Sequence, residues 1–224
     1  MTWLHQRRLT ALTALIAMSA LALTLLSLWA GSSGRAVHDL ALADTARIGH
    51  GQLWRLATGP LLHATFTHLV WDLTILAILG LLYEPRLGRH FAPVLLIGLI
   101  APTLAVTLDA QFTRYYGLSG LNYTLMGAAI AFELTRGKRG LGLLGAGLLT
   151  WKLIRAVRGQ SLWGPTLPGD THEAWLAHVV GAAAGVASLL LLAVTIDRRS
   201  SRLTSSPTDA QAPLQQPARP VPLR

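Results

Sequence analysis

Long apolar runs alternate with short polar breaks along most of this chain. The first run, about Leu9–Ala30, ends at Gly31-Ser32-Ser33-Gly34, a helix-breaking cluster. A polar loop is expected from there to about Trp54. The second run, about Thr58–Tyr83, is unusually rich in polar groups: His63, Thr65, Thr67, His68, Asp72 and Thr74. The segment Glu84-Pro85-Arg86-Leu87-Gly88-Arg89-His90 reads as a basic turn. The third run is about Phe91–Leu108, followed by a short loop, Asp109–Tyr116. The fourth is about Leu118–Leu134, closed by a second basic turn, Arg136-Gly137-Lys138-Arg139-Gly140. A fifth, Gly-rich run covers about Leu141–Val157. A longer loop holding Gly164, Pro165, Pro168 and Gly169 precedes the sixth, about Glu173–Ile196.

Crossing the hydrocarbon core takes about 20 mostly apolar residues per helix. The pattern therefore predicts an all-α polytopic membrane protein of six transmembrane helices. It divides into a short N-terminus (residues 1–8), one membrane domain (residues 9–197) and a Ser/Pro/Gln-rich tail (residues 198–224) expected to be disordered. No internal repeat is present. The first run follows Arg7 and Arg8 as a signal peptide would, but it exceeds a typical signal core and reads better as a first membrane helix.

Composition sharpens this picture. Of 224 residues, 52% are hydrophobic and only 13% are charged. A soluble domain carries roughly 25% charged residues, so a lipid-facing surface accounts for the deficit. There is no cysteine, which excludes disulfides, thiolate chemistry and Cys-ligated metal centres. The net charge of +9 lies mostly beside apolar runs, where it marks topology and contacts to anionic headgroups rather than a nucleic-acid face. With the N-terminus inside, ten basic residues are internal: Arg7, Arg8, Arg86, Arg89, Arg136, Lys138, Arg139, Arg198, Arg199 and Arg202. Seven are external: Arg35, Arg47, Arg55, Arg114, Lys152, Arg155 and Arg158. The bias puts both termini in the cytoplasm. Ser119 and His178 then both lie near the outer face.

Polar groups inside a membrane are costly, so each is a functional candidate. Gly117-Leu118-Ser119-Gly120 opens the fourth run. Glycines allow another backbone to approach, and a helix N-terminus favours an oxyanion; the plain alternative is a helix cap. Ala177-His178-Val179-Val180-Gly181 opens the sixth run. His178 can serve as the base for a serine nucleophile, or simply as an interhelical hydrogen-bonding group. Gly181 and Gly185 form a Gly-x-x-x-Gly packing face. In His63-x4-His68-x3-Asp72, His68 and Asp72 share a helix face. These groups suit an oxyanion site, a polar cavity wall or a zinc set. The His-Glu-x-x-His metalloprotease signature is absent, and no metal or cofactor is expected.

Together these motifs resemble the rhomboid intramembrane serine proteases, from about Gly51 to Gly185. Trp54-Arg55-x-x-Thr58, His63-x4-His68-Leu69, Glu84-x3-Gly88, Gly117-Leu118-Ser119-Gly120 with Leu125-Met126-Gly127-Ala128, and Ala177-His178-x2-Gly181-x3-Gly185 follow the family's order. The resemblance implies a Ser119–His178 dyad without a third acid. His68 and backbone N–H groups at Leu118 and Ser119 would form the oxyanion site, supported by His63, and Tyr123 would pack beside the base. Asp72 stands where the family has an asparagine. A carboxylate repels an oxyanion, whereas an amide or a protonated carboxyl donates to it. Tyr116-Gly117-Leu118-Ser119-Gly120 and the compact size are similar to rhombosortases, although Asn122-Tyr123-Thr124 replaces their Leu-His-Gly. The expected partners are a transmembrane protein substrate and the lipid bilayer, and the expected location is the bacterial inner membrane. The competing readings are a rhomboid-like pseudoprotease and a small transporter; the latter lacks the expected inverted repeats.

Overall fold

The structure is a computed structural model that describes residues 10–29, 31–158 and 174–204. Nine α-helices, two 3₁₀ turns and one small β-ribbon occupy the described residues. The expected N-terminus over residues 1–8 and the Gly164–Gly169 loop lie outside them, as does the tail beyond Thr204.

Helix α1 is Ala11–Trp29. Gly31, at φ +55°, then redirects the chain. The expected polar loop is instead helical at its start: α2 spans Gly31–Ala41 and turns Gly34 and Ala41 inward. Helix-breaking glycines here change direction without preventing the next helix. Beyond it, β1 (Ala43–Asp44) pairs antiparallel with β2 (Arg114–Tyr115). The short helices α3 (Thr45–Gly49) and α4 (Arg55–Thr58) complete this layer. Arg55 holds it together. Its side chain is only 2% exposed and donates to the carbonyls of Asp39 (2.7 Å) and Leu42 (2.8 Å) and to Gln52 Oε1 (2.7 Å).

The second apolar run does not form one helix from Thr58. A 3₁₀ turn at Gly59–Leu61 contains Pro60, whose ring fixes φ and removes a donor. Leu62 is extended, and α5 begins only at Phe66, ending at Leu87. Thr65 supplies the N-cap, its hydroxyl accepting from His68 N–H at 3.1 Å. His63 therefore precedes the helix that carries His68 and Asp72. The expected basic turn from Glu84 is also helical at first. Pro85 lies inside α5, and the chain turns at Gly88, whose φ of +54° suits glycine.

Helix α6 spans Phe91–Leu108, as the hydropathy pattern predicts. Helix α7, Ser119–Thr135, is the centre of the bundle: eleven of its 17 residues are buried. Helix α8, Arg139–Val157, buries only Gly142 and Ala156. Helix α9 spans Trp175–Thr204, so it passes the expected domain boundary at residue 197. Arg198, Arg199 and Arg202 are good helix formers, and the first proline after them is Pro207.

The core runs through Leu69, Leu76, Phe91, Val94, Leu118, Leu121, Leu125 and Ala128. Many other large apolar side chains face outward, including Leu15, Met18, Ile78, Leu81, Leu143, Leu144 and Leu191. Water would disfavour such a surface, whereas lipid accepts it. Among the described residues, three stretches are long and apolar enough to cross a bilayer: Ala11–Trp29, Phe66–Leu108 (which holds α5 and α6) and Arg139–Val157. Trp175–Leu191 is a shorter apolar segment. The protein is a mostly helical integral membrane protein.

Candidate active site

Ser119 is the first residue of α7. Gly117 brings the chain to it at φ +100°. A side chain at Gly117 would strike the His68 ring and crowd Asp72 Oδ2. Glycine thus serves two local needs, a left-handed backbone and a close approach.

Ser119 is half-buried and His178, on α9, is buried. The helices that carry them meet through glycines. A methyl group at Gly181 would overlap the Gly120 carbonyl, one at Gly185 the Thr124 carbonyl, and one at Gly127 the Ala182 carbonyl. This backbone-to-backbone approach places His178 Nε2 3.0 Å from Ser119 Oγ. That separation is within the range for a nucleophile and its general base. Tyr123, one turn below Ser119, stacks on the imidazole with centroids 4.2 Å apart and planes 12° from parallel. Lys152 Nζ of α8 lies 5.1 Å from the Tyr123 ring centroid, a cation–π distance.

A second polar group borders the first. Asp72 Oδ2 lies 3.2 Å from His63 Nε2 and 3.3 Å from His68 Nε2. Asn122 Nδ2 donates to the Asp72 carbonyl at 3.1 Å and to Asp72 Oδ1 at 3.3 Å. Leu118 N–H donates to His63 Nε2 at 3.4 Å. Tyr116 stands edge-on to His68, with centroids 6.3 Å apart. No Lys or Arg side chain forms an ion pair with Asp72 among the described residues.

Ser119, His178 and Tyr123 thus form one contact group, and His63, His68, Asp72 and Leu118 form another. Gly117 joins them. Gly120 and Gly181 close the interface beneath, with Gly185 one turn further along α9.

Three contributors escape the sequence patterns. Tyr115, on β2, accepts a hydrogen bond from Gly120 N–H at 3.2 Å and also bonds the Ser119 side chain. Burial pushes its hydroxyl up to about 12, so it stays protonated. Thr24 of α1 meets His63 Nδ1 at 3.3 Å. Asn122 steadies Asp72. A polar residue within an apolar run was the available signal for Asn122 and Thr24. Tyr115 depends on a two-residue ribbon that hydropathy does not reveal.

Comparison with known proteins gives this arrangement its context. The chain is 29% identical over 166 residues to the "Uncharacterized protein ML1171" of Mycobacterium leprae (strain TN). The match covers 70% of this chain and 63% of that relative, so the chain spans somewhat under two thirds of its length. A family model for the Rhomboid domain matches residues 50–195. That interval begins at the residue that follows α3, holds both polar groups and all the interhelical glycines, and ends within α9. The chain belongs to the rhomboid family.

Proposed function

We propose that this protein is an intramembrane serine endopeptidase acting through Ser119 and His178. The observation that carries the reading is the 3.0 Å contact between His178 Nε2 and Ser119 Oγ at the N-terminus of α7. In the proposed reaction His178 takes the Ser119 proton as Oγ attacks a peptide carbonyl. The tetrahedral oxyanion forms near the Ser119 end of α7, where the helix N-terminus favours negative charge. His178 then protonates the leaving amine. Water, activated by the same base, hydrolyses the acyl-enzyme and restores Ser119.

The substrate is a single-span or tail-anchored membrane protein, cut near the outer face. Six membrane helices with both termini cytoplasmic give this geometry, in a bacterial inner membrane. A groove of about 350 Å³ supports lateral access. It is lined by Leu79, Leu82 and Tyr83 of α5, Met126 and Ile130 of α7, and Leu141, Gly145 and Lys152 of α8 among others. Helix α8 is the least buried wall of that groove, consistent with a helix that yields to a substrate segment. The Tyr116–Gly120 sequence favours a rhombosortase-like specificity within the family.

The direct test is labelling of the detergent-solubilised protein with a fluorophosphonate serine probe. Labelling should occur in the wild type and disappear in both Ser119→Ala and His178→Ala. A folded wild type that stays unlabelled beside a labelled active rhomboid would reverse the reading.

Asp72 favours a second reading, a pseudoprotease that binds membrane segments without cutting them. Its carboxylate stands where the family's amide would donate to the oxyanion. If charge there is the defect, Asp72→Asn should raise the labelling rate by roughly tenfold or more, because one oxyanion donor is worth 10²–10³ in turnover. An unchanged rate would remove Asp72 as the ground for the second reading.

A further inference from the structure

Among the described residues, one trio of potential metal ligands has its ligand atoms within 4.8 Å of one another: His63, His68 and Asp72. The hydrogen-bond inventory around it leaves a problem. Thr24 has one hydroxyl hydrogen, and it donates to the Leu61 carbonyl at 3.3 Å. Thr24 Oγ1 must then accept from His63 Nδ1–H, 3.3 Å away. A neutral His63 consequently carries its lone pair on Nε2. Leu118 N–H also approaches that lone pair, at a long 3.4 Å; an ion coordinated to Nε2 would take the place of this contact. Yet Nε2 sits 3.2 Å from Asp72 Oδ2. A lone pair facing a carboxylate oxygen is repulsive unless a proton or a cation lies between them.

The spacing favours a metal ion. Charge-assisted N–H···O⁻ bonds are about 2.7–2.9 Å long, and both contacts to Asp72 Oδ2 are longer, at 3.2 and 3.3 Å. Ligands about 2.0–2.1 Å from a tetrahedral zinc ion are separated by roughly 3.3 Å. Two edges of such a tetrahedron are therefore already present. The surrounding contacts are those of a metal site. Thr24 fixes the His63 ring, and Asn122 holds Asp72 Oδ1 at 3.3 Å, which is how outer groups orient metal ligands. Gly117 brings its backbone close against His68 and Asp72, where a side chain would collide with the imidazole. The His68 and Asp72 side chains keep 11% and 10% exposure, so one side stays open for an ion and a fourth, solvent ligand.

We propose that His63 Nε2, His68 Nε2 and Asp72 Oδ2 form a binding site for a divalent transition-metal ion of the zinc class, and that its occupancy inhibits Ser119. The binding stands on the trio alone; the inhibition rests on the protease reading. Metal on His68 would occupy the imidazole that the rhomboid resemblance assigns to the oxyanion site. This sets aside the sequence-based expectation that no metal binds.

The full-length protein, freed of metal with chelator in detergent, is titrated with Zn²⁺ by calorimetry and with Co²⁺ by visible absorption. We expect one equivalent of Zn²⁺ to bind and the intense visible bands of tetrahedral Co²⁺ to appear. Asp72→Asn and His68→Gln should each weaken Zn²⁺ binding by at least about 100-fold, since even outer-shell changes cost 10–100-fold. Thermal unfolding confirms that each variant is folded, and having two variants guards against the failure of one. No binding, or equal binding in the wild type and both variants, overturns the site. Labelling by the serine probe separates the two proposals. Zn²⁺ should suppress labelling of the metal-free wild type; unchanged or faster labelling overturns the inhibition while leaving the site. A metal-free wild type that never labels defeats the protease reading and, with it, the inhibition, without touching the Co²⁺ result.

Discussion

At the residue scale, Tyr115 links the β-ribbon to the Ser119 group. Its hydroxyl is held protonated by burial, accepts from Gly120 N–H and bonds Ser119. It therefore helps set where Ser119 Oγ points in the proposed reaction. Tyr115→Phe removes only the oxygen, so the ring still packs in the cluster of Ala43, Ile48 and Val106. One hydrogen bond is worth about 0.5–1.5 kcal/mol, so the labelling rate should fall by roughly three- to tenfold with the unfolding midpoint little changed. Equal rates for the two proteins would show that Tyr115 is only a packing group. The neighbouring residues explain why some of the site was legible and some was not. Ser119 and His178 stand out because each is a chemically active group at the start of an apolar run. Asp72 stands out because a carboxylate in such a run is expensive. Asn122 has the same cost, but nothing in the linear pattern indicates that it reaches Asp72 on another helix. Thr24 is plainer still, since threonine satisfies itself on its own helix in many membrane segments.

At the element scale, the Gly-x-x-x-Gly spacing of Gly181 and Gly185 is readable from sequence, and the structure gives it a partner in α7. The spacing identifies a close-packed face. It does not identify which helix lies against that face, because the choice depends on the three-dimensional order of the bundle. The glycines of α8 look equally suggestive in the sequence but differ physically. Gly142 is tight against Leu134 and Gly145 lies near Ile130, whereas Gly140 and Gly147 face open space. Close packing is thus confined to part of α8. Two substitutions separate these cases. Gly185→Ala forces a methyl group into the Thr124 carbonyl and the Ala128 nitrogen, neither of which can move without shifting α7. It should cost about 1–3 kcal/mol, as overpacking does, and weaken Ser119 labelling because the dyad spans this interface. Gly147→Ala meets nothing and gains helix propensity, worth about 0.8–1 kcal/mol in peptides. Thermal unfolding in one detergent should lower the midpoint of the first variant and leave unchanged or raise that of the second. A destabilised Gly147→Ala would mean that α8 has a neighbour at that position.

At the scale of the whole molecule, the polar contacts sort by depth. Near one end of the bundle, Glu84 at the foot of α5 accepts from Leu12 N–H and Thr13 N–H, each at 3.0 Å, and from the Thr13 hydroxyl. It caps the start of α1 across the bundle and complements that helix's dipole. Gly80, one turn earlier, lets Thr13 come this close. Glu84→Ala leaves these buried donors without an acceptor. It should lower stability by about 2–3 kcal/mol, the scale for hydrogen bonds to a charged group, read as a lower unfolding midpoint. The same end holds Arg86 and Lys138 on either side of Glu133, at 3.2 and 3.8 Å. The opposite end holds the β-ribbon, Arg55 and the Ser119 group. Sequence displays this polarity only as two short basic turns; the structure adds that acidic Glu84 and Glu133 serve those turns from within. In the proposed topology, which the positive-inside rule favours, the Glu84 end faces the cytoplasm. A chain without cysteine allows a clean check. Arg89→Cys, in the turn before α6, should react with a membrane-impermeant maleimide only after cells are opened. Arg114→Cys, in the ribbon, should react in intact cells. The reverse pattern would place Ser119 near the cytoplasmic face, and the proposed cleavage at the outer end of a substrate helix would fall with it.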